Sequence, residues 1–133
     1  MIHISCNTHA SSFTKGGDRQ EYDDVEKLAP AVGLDGEYTF NYDYPLSRIA
    51  SFKHILTPDM TGEDLLVLGR EDYERIYKEE HEADCDPGHA PGMLNRQRSQ
   101  GPYGIWGHDI CDLYFEGIDI NPDSKTIEFS MGS

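Results

Sequence analysis

Long apolar runs are missing from this chain. No stretch approaches the roughly 18 uncharged apolar residues that a membrane-spanning helix needs, so no membrane association is expected. The opening residues, Met1-Ile2-His3-Ile4-Ser5-Cys6, lack the basic start and apolar centre of a secretory signal, and the expected location is therefore cytoplasmic, or intracellular more generally. Cysteine is scarce and odd in number, three residues at 6, 85 and 111 with no paired spacing. That pattern excludes a disulfide framework and fits reduced thiols inside a cell. No Asn-x-Ser/Thr sequon argues otherwise, and a cellular and a viral origin satisfy these features equally. Cations are few: 11 Lys and Arg stand against 25 Asp and Glu, a net charge of −14. Phosphate would be repelled, which excludes direct binding to nucleic acid or anionic lipid. No P-loop, Gly-x-Ser-x-Gly or Gly-x-Gly-x-x-Gly occurs, and Gly101, Gly104 and Gly107 have the wrong spacing for a dinucleotide loop. No cofactor is expected.

Leu, Ile, Val and Phe number only 27 of 133 residues, near the level at which acidic chains fail to fold. Eight Tyr and one Trp offset this, because each buries a large ring with a polar edge. The length suits one domain, residues 1–133, since two would each have a meagre core.

Alternation carries most of the strand signal. Ile2, Ile4 and Cys6 alternate with polar residues and predict a short first strand, followed by a flexible small-residue loop at 8–19 and two helical turns from Glu21 to Leu28. Tyr38, Phe40, Tyr42 and Tyr44 share one face of a second strand ended by Pro45, and 51–56 reads as a third. Thr61-Gly62-Glu63-Asp64 predicts a helix start. Leu65, Leu66, Gly69, Tyr73, Ile76 and Tyr77 then form one stripe of an amphipathic helix running to about Ala83. Cys111, Leu113 and Phe115 alternate, and the phase slips at Gly117 to Ile118 and Ile120, which predicts a bulge. Asn121-Pro122-Asp123-Ser124 predicts a turn into a return strand with Ile127, Phe129 and Met131. The expected fold is a small α+β domain: a mainly antiparallel sheet of four to five strands, covered by one long helix, with a long Gly/Pro-rich ordered loop.

Charge is unevenly placed. Residues 61–86 hold ten acids and three bases, half the net charge; a solvated helix face explains this, and so does a negative surface for a basic partner. Residues 87–111 carry Arg96 and Arg98 against Asp109 alone, together with the only Trp. About twenty irregular residues within a compact domain usually serve a function or stay disordered. Here Leu94, Tyr103, Ile105 and Trp106 argue for packing, and the glycines allow close backbone approach.

Motifs with chemistry are sparse. His108-Asp109, at a loop-to-strand junction, has the residue types for acid–base catalysis, although Asp109 could equally cap the loop. Arg96, Arg98, Tyr103, Trp106 and His108 are the candidate ligand-binding residues, with arginine forks for an anion and Trp106 for stacking. His81, Cys85 and His89 lie near zinc-ligand spacing, but only three ligands meet at a fraying helix end, so no metal is expected. Asp119-Ile120-Asn121-Pro122-Asp123 starts like a calcium loop but has Ser124 where glycine is required. Cys111 is expected to be a buried, inert thiol.

Three functions fit. The first is a non-enzymatic interaction protein whose acidic helix and 91–109 loop contact a protein partner, a basic one by charge. The second is a small enzyme or binding domain that holds an anionic molecule with Arg96, Arg98, His108 and Asp109. The third is an acidic mimic of nucleic acid that inhibits a DNA- or RNA-binding protein.

Overall fold

The computed structural model describes residues 1–11, 13–14, 28–83, 101–106 and 108–133. Five strands form one sheet: β1 (Ile2–His9), β2 (Gly36–Tyr42), β3 (Ala50–Leu56), β4 (Tyr114–Asn121) and β5 (Thr126–Gly132), in the spatial order β1-β4-β5-β2-β3. One long helix, α1 (Gly62–Ala83), lies between β3 and β4 in the chain. The architecture is α+β, as the alternation predicts. The hairpins β2–β3 and β4–β5 are antiparallel, and so is β1–β4, but β5 runs parallel to β2, which makes the sheet mixed.

The strands form where β-branched and aromatic residues alternate. Tyr38, Phe40 and Tyr42 are buried on the helix side of β2, and Phe115, Ile118, Ile120, Ile127 and Phe129 continue that layer. The register shift between Phe115 and Gly117 is the bulge expected from the change of phase. Asn121 closes the β4–β5 turn, its Oδ1 accepting the backbone N–H of Asp123 at 3.1 Å and of Ser124 at 3.2 Å. β1 extends further than its pattern predicts. Residues 8 and 9 belong to the strand and Phe13 is buried, so the first part of the expected 8–19 loop is ordered structure. Residues 15–27, with most of the expected short helix, lie outside the described residues.

Helix α1 starts at a reciprocal cap: Thr61 N–H donates to Asp64 Oδ2 at 2.9 Å and Asp64 N–H to Thr61 Oγ1 at 3.4 Å. Its stripe of Leu65, Leu66, Gly69, Tyr73 and Ile76 lies on the aromatic face. The Tyr73 ring meets Tyr42 edge-on at 4.9 Å, a favoured aromatic geometry. Gly69 is what lets the helix sit so low. A Cβ there would stand 3.1 Å from ring atoms of both Phe115 and Phe129.

Two acids of the 61–86 run do not belong to a solvated face. Asp72 is 5% exposed and Glu80 has no exposed surface. Both are turned inward, and each has hydrogen-bond partners that make burial tolerable.

Candidate functional site

The segment 101–106 is held from several directions at once. Ile105 is fully buried and bridges Leu46, which anchors the segment beside the chain that leaves β2. Glu80 supplies the tie from the helix: its Oε2 accepts Gly101 N–H at 2.7 Å and its Oε1 accepts Tyr103 N–H at 2.8 Å. A side chain at position 101 would collide with that carboxylate, since an added Cβ would lie 2.5 Å from its carbon. The close approach at Gly101 is thus an approach to Glu80. Arg48 Nη1 donates to Pro102 O at 2.9 Å, Ser47 Oγ to Gly104 O at 2.8 Å, and Trp106 N–H to Pro45 O at 2.9 Å. The Tyr103 hydroxyl donates to Glu79 at 3.0 Å, and burial together with that carboxylate pushes it up to about 12. On this fixed backbone the Trp106 side chain is 49% exposed.

His108 and Asp109 follow but do not form a pair. Asp109 caps a short 3-10 turn, Ile110–Asp112, through a reciprocal cap with Asp112, and its Oδ1 accepts Ile110 N–H at 2.8 Å. It does not orient the imidazole. His108 is held instead by its backbone, whose carbonyl accepts the Tyr77 hydroxyl at 2.8 Å, and by Tyr44 Oη, 3.3 Å from Nε2. Its Nδ1 is buried without a hydrogen-bond partner. A cleft of about 250 Å³ opens beside it, lined also by His9, Cys111, Asp112, Tyr114 and Ser133. Cys111 is exposed, contrary to expectation, because the strand begins only at Tyr114 and residue 111 falls in the turn. Partial burial and the carboxylates of Asp109 and Asp112 raise its thiol, which keeps it protonated and a poor nucleophile at neutral pH.

A second concavity, about 430 Å³, lies at the same end of the sheet. Asn41, Asp119, Glu128 and Ser130 reach it from the side opposite Phe40 and Ile120, and Asp43, Tyr44, Ile49 and Met131 complete its walls. Asp119 stands directly opposite Glu128 in the β4–β5 register, and His3 Nδ1 lies 2.5 Å from Asp119 Oδ1. Like charges opposed across a ladder cost stability unless a cation answers them.

A polar cluster that the sequence reading missed sits under α1. The Asp72 Oδ2 atom accepts the Tyr42 hydroxyl at 2.5 Å and His54 Nε2–H at 2.7 Å. The signal that could have found it is positional. Asp72 and Glu80 fall on the apolar stripe, three residues after Gly69 and four after Ile76, where an acid is out of place unless it is paired.

Of the candidate residues, Tyr103, Trp106, His108 and Asp109 fall on one continuous stretch beside the chain leaving β2. Arg96 and Arg98 lie outside the described residues, as do Cys85 and His89 of the possible zinc set; His81 is exposed in the last turn of α1. Among the described residues, no three His, Cys, Asp or Glu side chains are grouped to hold a metal ion, and no helix is long and apolar enough to cross a membrane. Comparison with protein families, curated proteins and solved structures found no match.

Proposed function

We propose that the protein is a non-catalytic binding module that engages a protein partner through the exposed end of its 91–109 loop, with acidic surfaces around the contact favouring a basic partner. One observation carries this reading: Trp106 is half-exposed on a backbone tied by Glu80, Arg48, Ser47 and Pro45. A tryptophan in water loses little on binding if its backbone is already fixed, and such residues dominate interface energetics.

The test is retention of a partner by the immobilised chain. Trp106→Ala should release whatever the unaltered protein retains specifically. The cost in stability should be about 1 kcal/mol, because half of the ring is already in water. If Trp106→Ala retains the same partner with the same affinity, the contact lies elsewhere and the reading fails.

A second reading, a binding domain for an anionic small molecule, has one observation in its favour. The unsatisfied buried Nδ1 of His108, beside the 250 Å³ cleft, is the kind of orphan group that a ligand satisfies. Titration with inorganic phosphate, followed through the His108 ring resonances, decides it: saturable shifts support a site and unmoved resonances remove it.

A further inference from the structure

The binding-module reading leaves the partner's contact chemistry open, and the distribution of ion pairs narrows it. Three acids of α1, Glu71, Glu74 and Glu79, already have cations. Glu74 lies 3.1 Å from Arg70, Glu79 lies 3.0 Å from Arg75, and Glu71 lies 3.8 Å from Arg70. In the groove on the open side of the sheet the position differs. Glu128 faces Asp119 across the ladder; Asp119 has the His3 imidazole beside it, but among the described residues no cation lies within ion-pair distance of Glu128 or Asp43. The groove is also more than a set of acids. Tyr44, Ile49 and Met131 give it apolar walls, and Ile49 is 70% exposed. Tyr44 precedes Pro45, the residue whose carbonyl holds Trp106 N–H, so the backbone of Trp106 is tied one residue along the chain from a wall of the groove.

We propose that the partner presents an extended, arginine-bearing protein segment that stacks one guanidinium on Trp106 and lays a second along the groove, between Asp119 and Glu128. This inference rests on the binding-module reading above. Arginine fits both halves: its planar cation stacks on an indole face, its fork matches carboxylates, and its methylene stem covers apolar walls. Lysine supplies charge without the plane or the fork. A polyamine supplies charge along a flexible chain and nothing to stack. The net charge of −14 adds long-range attraction for any cation, but short-range selection belongs to the indole and the groove.

The experiment uses the full chain and a fluorescein-labelled peptide alternating arginine and glycine, followed by anisotropy at low and moderate salt. The arginine peptide should bind, and its lysine counterpart should bind roughly fivefold more weakly. Trp106→Ala should weaken the arginine peptide on the order of thirtyfold. Trp106→Phe, which keeps a ring in place, should fall between the two and guards against loss through misfolding. The double variant Asp119→Asn with Glu128→Gln should weaken binding about tenfold and flatten its salt dependence. The charge-matched helix pair, Glu71→Gln with Glu74→Gln, should change it by less than about twofold.

Equal losses from the groove pair and the helix pair would mean that net charge alone attracts the peptide, and would overturn the proposal. So would equal affinity for the lysine peptide, or displacement by spermine at matched charge concentration. If the arginine peptide binds no form of the protein while Trp106→Ala still releases a retained partner, this inference falls and the binding-module reading stands. If neither measurement responds to Trp106, both fall.

Discussion

Glu80 shows how much one side chain can determine at the residue scale. A carboxylate with no exposed surface is costly unless each oxygen finds a donor, and here the donors are the backbone N–H groups of Gly101 and Tyr103. The helix therefore fixes the segment that carries Trp106. Glu80→Gln keeps the shape but turns one acceptor into an NH₂ that faces a backbone N–H. It should cost about 2–3 kcal/mol and expose the Gly101 and Tyr103 amides to hydrogen exchange. Unchanged protection of both amides in the variant would mean the segment holds itself, and Glu80 would lose its positioning role. This tie was half legible in the sequence. Gly101 announced a close backbone approach, and Glu80 sat on an apolar stripe, but no local pattern says which backbone comes to which carboxylate. Asp109 is the converse case. Its spacing of three from Asp112 is a cap signature, and the structure uses it so. A pair of adjacent residue types suited to catalysis weighed less than the need to close a turn.

Among elements, the contact between α1 and the β2 face decides whether a core exists at all, because apolar residues are few. Phe40 and Ile76 are both fully buried in that layer. Truncating either to Ala should cost about 2–5 kcal/mol by leaving a cavity among rings that cannot close over it. Denaturant midpoints would check this, and a loss below roughly 0.5 kcal/mol at both positions would mean the two faces do not pack. Most elements could be read directly. The alternating aromatics, the stripe from Leu65 to Tyr77 and the phase change at Gly117 are all local signals. The core of β2, the helix and the bulge stand where those signals put them, although β2 ends at Tyr42, and Tyr44, expected on the same face, lies beyond it. Strand pairing could not be read this way. That β5 joins β2 in parallel follows from how two hairpins meet beneath one helix, and alternation within a strand is identical for parallel and antiparallel neighbours. Cys111 departs from its pattern for a related reason. Extending the period of Leu113 and Phe115 one step back carries it past the start of β4, into a turn where alternation no longer assigns a face.

For the molecule as a whole, tyrosine takes the place that aliphatic residues hold in larger cores, and this ties stability to pH at the alkaline end. Tyr42, Tyr73 and Tyr77 are buried, and burial raises all three phenols well above their ordinary value of about 10; Asp72 adds to the shift at Tyr42, Asp43 at Tyr73 and Tyr73 at Tyr77. The folded chain therefore keeps protons that the unfolded chain releases above about pH 10. Below that pH both states hold them and these groups contribute their full stabilisation. Above it the unfolded state binds fewer protons than the folded one, so stability falls as pH rises, by roughly 1.4 kcal/mol per pH unit for each of the three. Denaturant melts at increasing pH should show no loss from these groups up to about pH 9 and a steep loss beyond about pH 10.5. Ultraviolet difference absorbance should show the buried phenols ionising together with unfolding, in one transition, if residues 1–133 form a single cooperative unit as proposed from the sequence. Ionisation of all eight Tyr near pH 10 in the folded protein would place the rings in water and refute the aromatic core. Two separated transitions would leave the core intact and divide the chain into independent units.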